Sequence, residues 1–138
     1  MAATAGNRKT MKNRQTVVVL GASDKPERYS NQAVKLLKEH GHEVIPIHPR
    51  LETIEGCSVV PSLAKVEEKV DTLTVYVGPL RGNGMIEDMK GLNPSRVILN
   101  PGTESEEIEK ALSKEGISVL RACTLVMLRT GQFDLEEQ

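Results

Sequence analysis

Four short segments rich in Gly, Pro and small polar residues are the places where a ligand could approach this chain's backbone closely. They are Gly21-Ala22-Ser23, His48-Pro49-Arg50, Val77-Gly78-Pro79 and Asn100-Pro101-Gly102. Small side chains let a phosphate or a cofactor contact the main chain. Because Gly and Pro also end many strands, each segment alone could be a plain turn. Only their convergence on one edge of a fold would indicate a binding site.

Basic residues beside these segments favour a ligand with more than one phosphate. Lys25 and Arg28 follow the first segment, although each alone could be an ordinary surface residue, and Arg50 ends the second. The dinucleotide fingerprint G-x-G-x-x-G is absent, since no glycine occurs between Gly21 and Gly41. The acidic residue that would hold a ribose hydroxyl is also missing, and a basic residue in its place favours a ribose phosphate. Coenzyme A and NADP carry such a phosphate, whereas NAD does not.

The elements that must position these segments alternate regularly along the chain. Aliphatic and β-branched runs without polar alternation predict strands buried on both faces of a parallel sheet, at residues 16–20, 43–47, 73–77, 96–99 and 117–120. Helical patterns lie between them. This order predicts an α/β, Rossmann-like doubly wound, mostly parallel sheet with helices on both faces in a single domain. Each candidate segment ends or follows a strand, and ligands bind beyond the carboxyl ends of strands in such sheets.

Single residues predict several local features of these elements. Pro46 removes one ladder donor, so the second strand is expected at a sheet edge or to be locally irregular. Ser30 is expected to cap the first helix, and Thr103 with Glu106 forms a potential capping box for a later one. The helix after Ser30 also brings free N–H groups and a positive dipole end to the first segment, which favours a phosphate there.

Composition excludes several classes of function. The 138 residues fit one domain, and a net charge of −1 gives no basic surface for nucleic acid. No apolar run is long enough to span a membrane. Residues 1–14 are expected to form a loose basic tail before the domain at 15–138. Cys57 and Cys123 form neither a zinc pair nor a disulfide framework, which favours reduced thiols in a cytoplasmic protein.

No arrangement of catalytic residues is visible. His40, His42 and His48 cluster around the second predicted strand, and His40 and His42 are expected to face solvent. His48 could touch a ligand phosphate, but no nucleophile or carboxylate is placed to make it a base. The motifs H-E-x-x-H and G-x-S-x-G and the P-loop are absent. The sequence therefore favours a binding protein over an enzyme.

An ordered set of motifs runs through residues 16–128. The segments are VVLGAS at 18–23, Pro26-Glu27-Arg28 with Ser30, VIPIHP at 44–49, VPSL at 60–63, VYVGP at 75–79 and NPG at 100–102. In this order they resemble the small stand-alone CoA-binding family, whose fold is that of the N-terminal domain of the succinyl-CoA synthetase α subunit. No single motif is specific, but the ordered set is.

The resemblance implies non-catalytic binding of coenzyme A or an acyl-CoA at the C-terminal edge of the sheet, as a sensor or carrier acting through a protein partner. The first loop would cradle phosphates, Arg50 or its neighbours would meet the phosphoadenosine end, and the turns after Val77 and Leu99 would line the pantetheine path. The turn at 100–102 departs from the wording usual in the synthetase. The candidate cofactor contacts are Gly21, Ala22, Ser23, Lys25, Arg28, Ser30, His48, Pro49, Arg50, Ser62, Val77, Gly78, Pro79, Asn100 and Gly102.

Two other functions stay open on the sequence. One is an NAD(P)-binding Rossmann protein, either a redox sensor or part of an oxidoreductase, with NADP favoured over NAD. The other is an interaction protein that keeps the fold but binds no ligand. Cys123 follows the last strand, so a CoA thiol at that edge could form a mixed disulfide with it; an inert buried cysteine is the alternative.

Overall fold

The central sheet consists of five parallel strands whose side chains are covered on both faces. The structure is a computed structural model that describes residues 11–12 and 14–136. Val17, Val18 and Val19 are fully buried in sequence, which occurs when layers pack on both sides of a strand. The strands are β1 (Thr16–Leu20), β2 (Glu43–Ile47), β3 (Thr72–Val75), β4 (Arg96–Leu99) and β5 (Ser118–Arg121).

Helices cover the two faces of the sheet. On one face, Leu37 and Met127 pack into a cluster with Val17 and Val19; on the other, Ile108 packs into a cluster with Val18. Alternate residues of one strand thus serve opposite layers, as the two-residue period of a strand requires. The helices are α1 (Tyr29–Glu39), α2 (Pro79–Asn83), α3 (Ile86–Leu92), α4 (Glu106–Lys114) and α5 (Thr124–Arg129). The predicted α/β doubly wound fold is confirmed.

The strand order is β2-β1-β3-β4-β5. The strand β2 is therefore added on one side of β1, and β3 to β5 are added on the opposite side. Val18 of β1 pairs with Ile45 of β2 on one side and Leu73 of β3 on the other. The switch point therefore lies beyond the carboxyl ends of β1 and β3, where the connections leave for opposite sides. This is where an open α/β sheet of this order leaves a crevice.

The strand β2 lies at the sheet edge, as Pro46 predicts. Its outer side is partly covered by Val60, whose N–H donates to the carbonyl of Pro46 (3.0 Å) and whose carbonyl accepts from His48 N–H (3.2 Å). Between them, a short hairpin pairs Thr53–Ile54 with Cys57–Ser58. The connection from β2 thereby turns back over the end of the sheet and contributes to its rim.

Two predicted helix caps are wrong. The first helix begins at Tyr29, so Ser30 lies inside its first turn, and the capping position Arg28 makes no side-chain cap. In α4 the cap is Ser105, whose hydroxyl accepts from Ile108 N–H at 3.1 Å. Thr103 instead donates its hydroxyl to the carbonyl of Asn100 at 2.8 Å, because the preceding turn brings that carbonyl within reach.

The amino ends of the strands are closed by a buried polar network. The Arg96 guanidinium donates to the carbonyl of Phe133 (2.8 Å) and the hydroxyl of Thr72 (3.0 Å), and it lies 4.7 Å from the Phe133 ring centre. His42 is also buried here, and its Nδ1 accepts from Gln15 N–H at 3.0 Å. The prediction that His42 faces solvent is therefore wrong, because Phe133 folds over it.

The first and last described segments of the chain pair with each other. The pair Met11–Lys12 forms an antiparallel ladder with Leu135–Glu136. The predicted loose tail at 1–14 otherwise falls mainly outside the described residues. Within the part that the structure describes, no helix has the length and apolar character needed to cross a membrane.

Candidate ligand-binding site

A cleft of about 720 Å³ opens at the switch point, beyond the carboxyl ends of β1, β2 and β3. This volume lies within the range of cofactor pockets. The segment after each of these three strands contributes to its walls: residues 21–25 after β1, 48–51 after β2, and 76–77 after β3. The segments after β1 and β2, and Val77 of the third, thus share one cavity, as their positions in the sequence predict.

Gly21 is required where β1 ends. Its φ of +85° is a conformation that side chains rarely adopt. A Cβ at this position would lie 2.9 Å from Val77 Cγ1 and 3.0 Å from the carbonyl carbon of Tyr76. The first turn can therefore pack directly against the end of β3 only because no side chain intervenes. This close approach forms the floor of the cleft.

Hydrogen bonds within the first loop, and from it to α1, fix the position of the loop. Ser23 accepts a backbone hydrogen bond from Lys25 through its hydroxyl (3.1 Å), and its carbonyl accepts from the Asn31 side-chain amide (2.9 Å). Asn31 is fully buried in α1 and also donates to Glu55 at 3.1 Å. The loop is therefore fixed to the start of α1, and it carries Lys25 and Arg28 along the side of the cleft.

The turn after β2 presents one imidazole nitrogen to the cleft. Nδ1 of His48 accepts N–H bonds from Arg50 (3.0 Å) and Leu51 (3.1 Å). With Nδ1 used as an acceptor, the neutral ring carries its proton on Nε2. His48 therefore has an N–H donor left for a ligand, and Arg50 is held beside it.

Positive charge dominates the cleft. Its basic side chains are exposed, and none of them makes an ion pair with another residue in the ranges 11–12 and 14–136. Two carboxylates also line the cleft. The four cations and the two carboxylates are Lys25, Arg28, Arg50, Arg81, Asp24 and Asp88. An anionic ligand would find unneutralised partners here.

Another arginine on the same rim is neutralised. Arg121 ends β5, on the far side of the sheet from the cleft, and donates to both carboxylate oxygens of Glu109 (2.7 and 2.9 Å). This hydrogen-bonded pair lowers the pKa of Glu109 and raises that of Arg121. The arginines of the cleft at the switch point therefore differ from Arg121, whose charge is balanced by Glu109.

A second, smaller cavity of about 300 Å³ lies next to the cleft, beyond the ends of β3, β4 and β5. Tyr76 lines both cavities. The other walls of the second cavity come from the turn after β4, the segment after β5 and the start of α1. They are formed by Tyr29, Asn100, Pro101, Cys123, Leu125 and Arg129.

The Tyr76 hydroxyl is buried and has no hydrogen-bond partner in the described structure. Burial is the main cause that raises the pKa of Tyr76, and the Cys123 thiol acts in the same direction; the hydroxyls of Thr124 and Thr74 act in the opposite one. The phenol is therefore protonated at neutral pH and keeps an O–H to donate. Buried hydroxyls without partners are rare and call for an explanation.

Asn100 holds the second cavity in shape. Its side-chain nitrogen donates to Thr74 Oγ1 (2.7 Å) and to the carbonyl of Val75 (2.9 Å), while its oxygen accepts from Thr124 N–H (2.9 Å). The side-chain amide thus has both hydrogens and its oxygen in use. It braces β3, β4 and α5 and has little left to offer a ligand.

The structure places most predicted site residues on the large cleft. Those lining it are Gly21, Ala22, Ser23, Lys25, Arg28, His48, Pro49, Arg50, Ser62 and Val77. Asn100 lines the second cavity instead. Four further predicted residues, Ser30, Gly78, Pro79 and Gly102, line neither cavity. Ser30 is turned into the first turn of α1 and buried, while the other three lie exposed on the outer side of their turns.

Sequence reasoning missed several residues that line the two cavities, among them Tyr76 and Arg81. Tyr76 directly follows β3, and an aromatic residue at a strand end was a signal that could have been read. Arg81 lies in α2, and its charge on the third residue after a Val-Gly turn gave a weaker signal. Among the described residues, His, Cys, Asp and Glu nowhere gather in a group of three or more that could hold a metal.

Comparison with known proteins identifies relatives of this chain. It is 26% identical over 104 residues to the uncharacterized protein YneT of Bacillus subtilis (strain 168), covering 75% of this chain and 77% of that protein. A crystal structure of an uncharacterized protein is 39% identical, with a TM-score of 0.83 over 88% of this chain and 100% of the other. The structure of cell-free ID.343 from Thermus thermophilus is 32% identical, with a TM-score of 0.80 over 86% and 90%.

The sequence profile of a domain family matches most of the chain. The match covers residues 15–129, from just before β1 to the end of α5, and the family is described as the CoA binding domain. The matched span includes both cavities described above. The resemblance seen in the sequence is thereby confirmed, and the chain belongs to the CoA binding domain family.

Proposed function

We propose that this protein binds coenzyme A or an acyl-CoA in the cleft at the switch point, as a sensor or carrier that does not itself transform the ligand. One observation carries the proposal: four cationic side chains, without ion pairs among the described residues, line a crevice in which Gly21 packs against the end of β3 with no side chain between them. Coenzyme A is a polyanion with a pyrophosphate and a ribose phosphate, so it suits this charge.

The cleft suggests a direction for the ligand. In our proposal the pyrophosphate lies at the first loop, near Lys25, Arg28 and the N-terminus of α1, where N–H groups and the helix dipole favour a phosphate. The ribose phosphate lies beyond β2, near Arg50 and Nε2 of His48. The apolar walls supplied by Leu51 and Leu63 accommodate the adenine.

The pantetheine arm would continue past the end of β3. Tyr76 and Val77 both line the cleft at this point, and Tyr76 also lines the second cavity. This path keeps the polyanionic end of the ligand among the cations and takes its uncharged arm towards a less charged wall. The proposal includes a cytoplasmic location, which the free thiols of Cys57 and Cys123 favour.

NADP is the alternative ligand, because it also carries a ribose phosphate that Arg50 could bind. The arrangement beyond β2, with His48 and Arg50 in place of a carboxylate, disfavours NAD. Titration calorimetry with CoA, dephospho-CoA, NADP⁺ and NAD⁺ separates these functions. We expect CoA to bind most tightly, and preferential binding of NADP⁺ would replace the proposal by the alternative.

The role of Arg50 gives a sharper test. A charged hydrogen bond to phosphate contributes about tenfold or more in affinity, so CoA should bind at least about tenfold more tightly than dephospho-CoA. The substitution Arg50→Ala should abolish that difference. Arg121→Ala is the matched control, because Arg121 lies on the same rim but is paired with Glu109 away from the cleft. Equal affinity of the unaltered protein for CoA and dephospho-CoA would contradict the role of Arg50.

A further inference from the structure

We propose that the second cavity holds the thioester end of a bound acyl-CoA and that Arg129 selects short acyl groups carrying a carboxylate. This inference rests on the proposed function, since the same ligand must first occupy the large cleft. It adds a substrate class that cleft charge alone does not specify. Three observations support it: the adjacency of the two cavities, the charge of the second one, and the buried hydroxyl of Tyr76, the residue that lines both.

The two cavities are adjacent, because Tyr76 lines both of them. A linear ligand that extended from the cations of the cleft past Tyr76 would enter the second cavity. The second cavity is about 300 Å³ against about 720 Å³ for the cleft, so it suits the small end of a ligand whose bulk lies elsewhere. Short acyl groups match this size.

The second cavity has one charged lining residue, Arg129, among those that the structure describes. Tyr29, Pro101 and Leu125 give it largely apolar walls. The described residues provide no ion-pair partner for Arg129. Asn100 cannot compete for a ligand group, since its amide is already bonded on both sides. An unpaired guanidinium beside apolar walls favours a ligand carboxylate, which it can bind through two N–H groups.

The hydroxyl of Tyr76 supplies the third element. It is buried without a partner and keeps its proton, since burial raises the pKa of the phenol. A thioester carbonyl that entered the cavity would accept this O–H and satisfy the group. Free CoA has no carbonyl at its thiol end, so the bond distinguishes acyl-CoA from CoA.

The test compares two acyl groups of nearly equal size. Malonyl-CoA and isovaleryl-CoA differ by a carboxylate in place of an isopropyl group. We expect the protein to bind malonyl-CoA about tenfold more tightly, as one charged hydrogen-bonded pair implies. Arg129→Gln should remove this preference, and Arg121→Gln should leave it intact. Equal binding of the two ligands by the unaltered protein, or a preference that survives Arg129→Gln, would overturn the selection by Arg129.

The substitution Tyr76→Phe tests the carbonyl contact separately. It should weaken the binding of malonyl-CoA and isovaleryl-CoA by a similar factor, several-fold more than it weakens the binding of free CoA. The thermal stability of the ligand-free variant is measured alongside, so that a loss of folding is told apart from a loss of the contact. A uniform loss for CoA and both thioesters would contradict the carbonyl contact, because it would indicate a general change of the cleft.

Disulfide formation at Cys123 would show whether the thiol end of the ligand reaches the second cavity. It lines the second cavity, whereas Cys57 lies in the hairpin after β2, where burial raises its pKa. With CoA disulfide, the Cys123 thiolate would attack one sulfur, form a protein–CoA disulfide and release one CoA thiolate. Intact-mass and peptide analysis should find the adduct on Cys123, blocked by excess malonyl-CoA and absent in Cys123→Ser. Labelling of Cys57 instead, or none on Cys123, would overturn the position of the thioester end.

The outcomes separate the two proposals. If CoA itself fails to bind, the proposed function is wrong and the acyl preference falls with it. If CoA binds with the expected dependence on Arg50, but malonyl and isovaleryl groups are not distinguished, the large cleft stands as a CoA site and the assignment of Arg129 is wrong.

Discussion

The two ends of the sheet use arginine in opposite ways. At the amino ends of the strands, Arg96 is buried and bonded to Phe133 and Thr72, and the protein's own groups fill the space. At the carboxyl ends, Arg50 and Arg81 line an open cleft without a protein partner. The same residue type thus closes one end and leaves the other available. What differs is whether the chain itself supplies the acceptors.

The pKa of Arg96 reflects its burial at the closed, amino end of the strands. Burial lowers the pKa of Arg96 to about 10, and the charges of Asp134 and Asp71 act in the opposite direction. The guanidinium therefore stays charged at neutral pH inside the closed end, which is tolerable only because acceptors surround it. At the open end, solvent takes the place of those acceptors until an anion arrives.

The largest expected effect comes from breaking the closed end. Arg96→Met keeps much of the side-chain volume but removes the charged donor shared by the carbonyl of Phe133 and the side-chain oxygen of Gln15; the Phe133 carbonyl keeps one donor, Nε2 of Gln15. We expect the free energy of unfolding to fall by about 2–3 kcal/mol, the net contribution of hydrogen bonds from a charged donor. Urea unfolding measures it, and Arg81→Met at the open end is the control.

That control should behave in the reverse manner. Arg81→Met should change stability little, because the side chain is exposed and unpaired, but it should weaken CoA binding. Arg96→Met should leave the CoA affinity of the folded protein nearly unchanged. If both variants lost stability alike, the proposed difference between the two ends would be wrong.

A smaller effect is expected at the first turn. Gly21 and Gly41 have nearly the same φ, +85° and +88°, but a Cβ at Gly41 meets nothing within 4 Å. Gly41→Ala should therefore cost only the left-handed conformation, about 1–2 kcal/mol. Gly21→Ala must also displace Val77 and Tyr76, so it should cost more and also weaken CoA binding. Thermal unfolding and calorimetry check both, and equal costs would contradict the close approach.

The smallest effect concerns pH at the closed end. The pKa of His42 is lowered from 6.5, first by burial and then by the nearby charges of His40, Arg96 and Arg14, with Asp134 opposing. The unfolded chain therefore takes up a proton first as the pH falls below about 6.5, and the free energy of unfolding decreases with it. Urea unfolding between pH 7.5 and pH 5 measures the slope.

His42→Gln should flatten that slope, because the titrating group is gone. His40→Gln is the matched control, since His40 is exposed and adjacent in sequence; it should retain most of the slope. A slope that persists in His42→Gln would show that another group is responsible for it.

The sequence predicts the framework well because strands buried on both faces leave a simple signal. The valine run at 17–19 and the proline at position 46 each depend on local chemistry, and β1 and the edge position of β2 follow from them. The cleft followed as well, since strand order brings the segments after β1, β2 and β3 together. Its walls needed only the rule that parallel strands end on one rim.

The remaining features depend on contacts that no local pattern encodes. His42 is buried because Phe133, from the other end of the chain, packs against it. Thr103 lost its predicted capping role to Ser105 because the turn after β4 offered it a carbonyl. The presence of two cavities was also invisible, since the walls of the second one come from residues far apart in the sequence, such as Tyr29, Asn100 and Arg129.

The bonds of Asn100 have a consequence for the energetics of recognition. The amide of Asn100 links Val75 to Thr124. Tyr76 directly follows Val75 in the chain, and Cys123 directly precedes Thr124. The positions of the Tyr76 phenol and the Cys123 thiol are therefore constrained before a ligand binds. A receptor preorganised in this way loses little conformational freedom on association, so more of the contact energy is retained as affinity.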